Sequence, residues 1–124
     1  MQMKLEVVSV PVSDVDKAKA FYTEQLGFHP DHDHKISETL RFVQLTPPGS
    51  GCSIVFGTGI TSMKPGTLDS LLLVVEDIYK IHNKLVKKGV KVTDVKKEFW
   101  GAYHIYFSDP DGNKWQIQQP RPKE

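Results

Sequence analysis

Only one cysteine occurs in this sequence, Cys52, so no disulfide can form within the chain. A core without covalent staples points to the cytoplasm, and Cys52 reads as a small buried apolar side chain rather than a reactive thiol. Net charge is nearly absent too. The 16 Lys+Arg and 15 Asp+Glu leave +1, which gives no basic field for nucleic acid or an anionic membrane. Long apolar runs are missing: none approaches the roughly 20 residues of a membrane span. The segment Met1-Gln2-Met3-Lys4-Leu5-Glu6 lacks the apolar stretch of a signal peptide. What remains is a chain of 124 residues, 39% of them hydrophobic, enough for one domain or two very small units sharing a core.

The chain repeats itself. At a constant step of 63, Val12 answers to Val75, Asp14 to Asp77, Val15 to Ile78, Lys17 to Lys80, Pro47 to Pro110, Gly49 to Gly112 and Ile54 to Ile117. The matched residues fall at equivalent structural signals. Leu5 to Val12 alternates as a strand, with Val8, Val10 and Val12 on one face and Val7, Ser9 and Pro11 on the other. Ser13 is positioned to cap a helix, with Asp16 three residues on. Val15, Ala18, Tyr22 and Leu26 recur at helical spacing up to Gly27. Strands are expected near 28–33, 39–46 and 51–57, the last two joined by the turn at Pro47-Pro48-Gly49.

The second half has the same order. A strand over Ser70 to Val75 leads to a helix capped by Asp77, with Ile78, Ile81 and Leu85 on one stripe and Gly89 at its end. Strands near 91–96, 103–108 and 114–119 follow, with a tight turn at Asp109-Pro110-Asp111-Gly112-Asn113. The expected fold is therefore α+β: two βαβββ modules in tandem, each a curved mixed sheet with one helix, together forming a concave cup. One domain over 1–124 is expected, with modules at about 4–57 and 69–119 joined by about 58–68.

Three runs carry a family resemblance. Val10-Pro-Val-Ser-Asp-Val-Asp-Lys-Ala-Lys-Ala-Phe-Tyr22 with Leu26-Gly-Phe28 resembles the first module of the vicinal-oxygen-chelate superfamily, which includes glyoxalase I, extradiol dioxygenases, fosfomycin-modifying enzymes and bleomycin-binding proteins. Leu73-Val-Val-Glu-Asp-Ile78 resembles the start of its second module, and Asp109-Pro-Asp-Gly-Asn113 its final hairpin. The resemblance covers roughly 5 to 119. It implies a cup in which four His, Glu or Gln side chains hold one divalent metal, a Lewis acid for oxyanion chemistry. The four corresponding positions here are Val7, Ser53, Ser70 and Gln116. Valine cannot ligate a metal, and serine is a poor ligand for Zn²⁺, Ni²⁺ or Fe²⁺, so only Gln116 carries a group the family uses. No cofactor is expected.

Other residues could carry chemistry. His104 lies in the most aromatic stretch, Phe99 to Phe107, and is a candidate acid–base group, with Gln116 as a polar orienter. The alternative is a histidine packed between strands with its ring satisfied. Arg41 is its counterpart at the step of 63 and would orient an anionic or carbonyl ligand if it faced the cup; otherwise it is an exposed strand residue. Phe42, Phe56, Trp100, Tyr103 and Trp115 read as core or, some of them, as cavity wall, and Gln44, Ser53, Ser70 and Gln116 would supply polar groups among them. His29, His32 and His34 read as a solvated strand end, and His82 as a helix flank.

Two functions follow. The first is a glyoxalase/bleomycin-resistance-like protein with a degenerate metal site that binds a small apolar or aromatic molecule. The second is a lyase, isomerase or dioxygenase of this type, metal-free or with an atypical site. The resemblance also implies a homodimer, because family members pair modules between chains.

Overall fold

The computed structural model describes residues 1–122; positions 123 and 124 of the expected domain lie outside the described residues. In chain order the elements are β1 (Val7–Ser9), α1 (Val15–Ala20), β2 (His29–Ser37), β3 (Leu40–Thr46), β4 (Ser53–Thr58), β5 (Leu71–Val74), α2 (Ile78–Lys87), β6 (Lys96–Lys97), β7 (Tyr103–Ser108) and β8 (Lys114–Gln119). They form two four-stranded mixed sheets. Sheet A has the order β1-β4-β3-β2 and sheet B the order β5-β8-β7-β6. In each, the first strand of the module runs parallel to the last and the other pairs are antiparallel. The tandem βαβββ modules are thus present, each sheet curved and unclosed, with one helix each. No helix among the described residues is long and apolar enough to cross a membrane.

Local sequence explains each boundary. Asp77 caps α2 as expected, its carboxylate accepting from the Lys80 N–H at 3.1 Å. For α1 the cap is Asp14, accepting from Lys17 N–H at 3.0 Å, and not Ser13. Ser13 is instead held by the other module: its hydroxyl donates to Asp111 Oδ1 at 2.5 Å and its N–H to Asp111 Oδ2 at 3.1 Å. After α1 the chain widens into a π-turn at Phe21–Gln25, so that Phe21 and Tyr22, adjacent in sequence, are both buried. The strand expected near 91–96 shrinks to Lys96–Lys97. Ahead of it Thr93 still pairs with Tyr106, its N–H donating to the Tyr106 carbonyl and its hydroxyl oxygen accepting from the Tyr106 N–H.

Strand pairing also refines the repeat. Val10 N–H donates to the Val55 carbonyl and Val75 N–H to that of Gln118, so Val75 is the counterpart of Val10 rather than Val12. Gln44 faces Val55 and His104 faces Gln118, so His104 is the counterpart of Gln44 and not of Arg41. The step of 63 holds at the helix caps and the final hairpins. It drifts where connections differ in length by two or three residues.

One apolar core serves both modules. Val10, Tyr22, Val43, Leu45, Ile54 and Phe56 of the first join Ile78, Ile105, Phe107, Trp115 and Ile117 of the second in a single buried cluster. A buried polar latch lies within it. Tyr22 donates its phenolic proton to Asp109 Oδ2 at 2.7 Å and accepts from the Trp115 indole N–H at 2.9 Å. Asn113 donates from its amide to Asp109 Oδ2 and to the Pro11 carbonyl, both at 2.8 Å. Burial, followed by the Asp109 charge and hydrogen bond, drives the Tyr22 phenol far above its ordinary pKa, which keeps it a proton donor at every pH the fold tolerates.

Candidate functional site: the helix-free faces of the two sheets

Alternation along the strands sorts residues between a core face and a helix-free face. On sheet A, Val43 and Leu45 point to the core, which leaves Phe42, Gln44 and Thr46 of β3, Ser53 and Val55 of β4 and Val7 of β1 on the helix-free side. On sheet B, Ile105, Phe107, Trp115 and Ile117 are core, which leaves Leu72 and Val74, His104 and Tyr106, and Gln116 and Gln118 opposite. Several of these apolar side chains are open to solvent: Leu72 is 50%, Val74 63% and Tyr106 42% exposed. Such a row is uncommon on a face that nothing covers. A cavity of about 510 Å³ lies against sheet B, floored by Tyr106 and Gln116 and walled by Ser70, Val92, Thr93 and Lys114.

The structure brings Phe42, Gln44 and Ser53 together on sheet A. It brings His104 and Gln116, with Trp100 at the rim, together on sheet B. His104 is almost fully buried, its Nε2 lying 2.7 Å from Gln118 Oε1 and its Nδ1 3.3 Å from Glu98 Oε1. The Trp100 ring stands 5.7 Å from the imidazole, edge-on, and the Tyr106 ring 6.1 Å. Both ring nitrogens are therefore engaged within sheet B.

Arg41 and Tyr103 leave the expected pocket. Arg41 shares the core-side parity of Val43 and Leu45, and its guanidinium is bound to Asp33 at 2.9 and 3.0 Å and to Asp16 at 2.8 Å, which ties β3 to β2 and α1. Those bonds, first from Arg41 and then from Lys19, hold the Asp33 carboxyl far below the usual carboxylate range. Tyr103 points to the helix side, edge-on to Tyr79 of α2 at 6.1 Å. The displaced step assigned Arg41 to the wrong face, whereas Tyr103, next to His104 in β7, takes the opposite face by alternation alone.

Ser70 also moves. Val7 lies opposite Ser53 in β1–β4, and the equivalent residue opposite Gln116 in β5–β8 is Leu72. Ser70 precedes β5 in a left-handed conformation, φ 72°, and its N–H bonds to the Lys114 carbonyl. Its hydroxyl sits 3.5 Å from Gln116 Oε1, so it remains beside the cavity without occupying the equivalent position. Sequence reasoning missed Asp31, Thr46, Tyr106 and Gln118. A β-bulge between Pro30 and His32 brings the Asp31 carboxylate to the helix-free side, against Thr46, while Asp33 stays with Arg41. A bulge leaves no mark in an alternating polar run.

The two-module architecture is shared with known proteins. A sequence model of the glyoxalase/bleomycin resistance protein/dioxygenase superfamily matches residues 4–117. The chain belongs to this superfamily. It is similar to TnmS3, an antibiotic binding protein from Streptomyces sp. CB03234, at 37% identity and a TM-score of 0.86 over 96% of this chain and 97% of that one. A superfamily member from Sphaerobacter thermophilus DSM 20745 is 30% identical, with a TM-score of 0.83, over 96% and 98%. The uncharacterised protein YetH of Bacillus subtilis (strain 168) is 28% identical over 96% of this chain and all of its own.

Membership raises the question of the superfamily's metal. The side chains at the four equivalent places are those of Val7, Ser53, Leu72 and Gln116. Two carry no donor atom, one offers a neutral hydroxyl and one a neutral amide, a set that does not fit a divalent ion. Among the described residues no group of three or more His, Cys, Asp or Glu is placed to hold one elsewhere.

Proposed function

We propose that the chain binds a small apolar or aromatic molecule in a cup lined by these two faces, without a metal. The observation that carries this is the composition of the faces. Apolar side chains (Val7, Phe42, Leu72, Val74, Tyr106) stand where the metal ligands and their surroundings would be, among a few neutral polar groups: Gln44, Ser53 and Gln116. Concave, mostly apolar sites with a few placed polar groups are the usual form of small-molecule sites. Similarity to an antibiotic binding protein supports the same reading.

The cup is completed between two chains. In one chain the modules pack through their helix-bearing sides, so each helix-free face needs a cover. In a two-fold dimer, sheet A of one chain covers sheet B of the other and buries Leu72, Val74 and Tyr106 twice over. Light scattering at micromolar concentration should give twice the 14.0 kDa chain mass. A monomer would refute this arrangement.

Trp100 reports on the site because it is half-exposed beside His104, whereas Trp115 is buried in the core. Titration with a panel of planar aromatic compounds is expected to give saturable quenching that is lost in Trp100→Phe. No response from any compound would count against a binding cup. The alternative, a lyase, isomerase or dioxygenase, draws on one observation: His104 lies on the same face, next to the Glu98 carboxylate. With both ring nitrogens engaged, no turnover of the methylglyoxal–glutathione adduct is expected. Measurable turnover that is lost in His104→Gln would favour the enzyme.

A further inference from the structure

We propose that Ser53 determines specificity in the cup by presenting an oxygen that can only accept a hydrogen bond, so that the bound molecule must bring an O–H or N–H donor to it. This rests on the reading of the faces as a ligand cup, and adds to it the class of ligand.

Three side chains form a chain along which the protons can be counted. Thr46 Oγ1 is hydrogen-bonded to Asp31 Oδ2, and Ser53 Oγ lies 2.6 Å from Thr46 Oγ1. The Thr46 bond, ahead of the smaller contribution of His29, lowers the Asp31 carboxyl below its ordinary value, so at neutral pH this group is ionised. A carboxylate has no proton to give, and a hydroxyl has one. The Thr46 proton must therefore point at Asp31. The short contact between Thr46 and Ser53 then needs a proton from Ser53, because Thr46 has none left. Ser53 in turn has no proton for a ligand, and its remaining lone pair is its only means of interacting. Its main-chain N–H is also committed, to the Glu6 carbonyl at 2.8 Å.

The position gives the count its consequence. Ser53 is almost fully buried and pairs with Val7 on the helix-free face, with Val55 two residues along its own strand on the same side. A ligand without a donor would leave the free lone pair of this oxygen desolvated with nothing to accept from, which a ligand bearing a donor avoids. The class selected is a planar aromatic bearing a phenolic, enolic or amide donor. An aryl ether or a bare hydrocarbon of the same shape is disfavoured.

The test uses 2-naphthol and 2-methoxynaphthalene, two probes of similar shape that differ in the donor, titrated calorimetrically into the full chain. The wild type is expected to favour the naphthol by about tenfold, the scale of one net hydrogen bond. Ser53→Ala should bring the ratio to about one. Thr46→Val frees the Ser53 proton, so the ether should tighten toward the naphthol. Thr46→Ser keeps the hydroxyl and should keep the preference. A ligand-free check is the Asp31 carboxyl titration followed by carbon NMR: its midpoint should rise in Thr46→Val. Equal binding of both probes by the wild type, a preference that survives Ser53→Ala, or an unmoved Asp31 midpoint would each overturn the proposal while leaving the cup intact. Binding of neither probe would overturn the cup reading and this proposal with it.

Discussion

Replacing Tyr22 by phenylalanine removes one oxygen from the latch between the modules and adds no bulk. That oxygen donates to Asp109 at 2.7 Å and accepts from the Trp115 indole at 2.9 Å. Asp109 keeps Asn113 Nδ2 at 2.8 Å on the same oxygen, and the N–H groups of Asp111 and Asn113 on the other, so it stays largely satisfied. The Trp115 N–H has no second partner among the described residues and is left orphaned in the core. Losing a hydrogen bond to a charged group costs about 1.5–3 kcal/mol and an orphaned buried donor about 1–3; with partial relaxation the sum expected is about 3 kcal/mol. For a domain of this size, 1 kcal/mol moves the melting temperature by about 4 °C, so Tyr22→Phe should melt about 12 °C lower. Calorimetry on Tyr22→Phe, Trp115→Phe and the double variant forms a cycle whose coupling should reach about 1 kcal/mol or more. A Tyr22→Phe loss within about 0.5 kcal/mol, or fully additive variants, would mean that the latch is not a coupled network and that apolar packing alone joins the modules.

Other outcomes follow from the same contacts. The folded pKa of Asp33 is depressed by Arg41 and Lys19, so its stabilisation is complete above the unfolded carboxylate value of about 4 and is lost as pH falls toward the folded one. Asp33→Asn should be less stable than the wild type at neutral pH, and the difference should shrink through the strongly acid range in melts at stepped pH. Gly57→Ala places a methyl carbon 1.8 Å from the Arg41 carbonyl oxygen, a main-chain atom that cannot swing away, so β3 and β4 must separate. A loss of about 2 kcal/mol or more in urea unfolding is expected. Adding Ni²⁺, Zn²⁺, Mn²⁺ or Fe²⁺ should leave the melting temperature unchanged; a large upward shift with about one ion per chain would reveal a site built from other residues.

The fold was readable because its signals are redundant. Asp77, Gly27 and Gly89, and the Pro-Gly turns each mark an element boundary, and they agree with the apolar alternation on either side; only the cap of α1 falls one residue later than expected, on Asp14 instead of Ser13. The site was only half readable. Phe42, Gln44, Ser53, His104 and Gln116 follow from strand parity once the strands are placed. Arg41 does not, because the step of the repeat is off by three residues there, and a shift by an odd number exchanges the two faces of a strand. Ser70 stands two residues short of the equivalent Leu72, and Tyr103, next to His104 in β7, takes the opposite face by alternation. Asp31 was hidden for a related reason, since one bulge moves it away from the face of Asp33. The latch joining Tyr22 to Asp109 spans 87 residues, a separation at which no local spacing carries information.

The central claim is a cup that holds an aromatic molecule without a metal. The most direct test is a calorimetric titration of chelator-treated, metal-analysed protein with 2-naphthol, beside the same titration with Ni²⁺ or Zn²⁺ added. Saturable binding of equal affinity is expected in both, weakened by a charge placed on the helix-free face of sheet B, as in Leu72→Asp. Binding that appears only when the metal is added would contradict it.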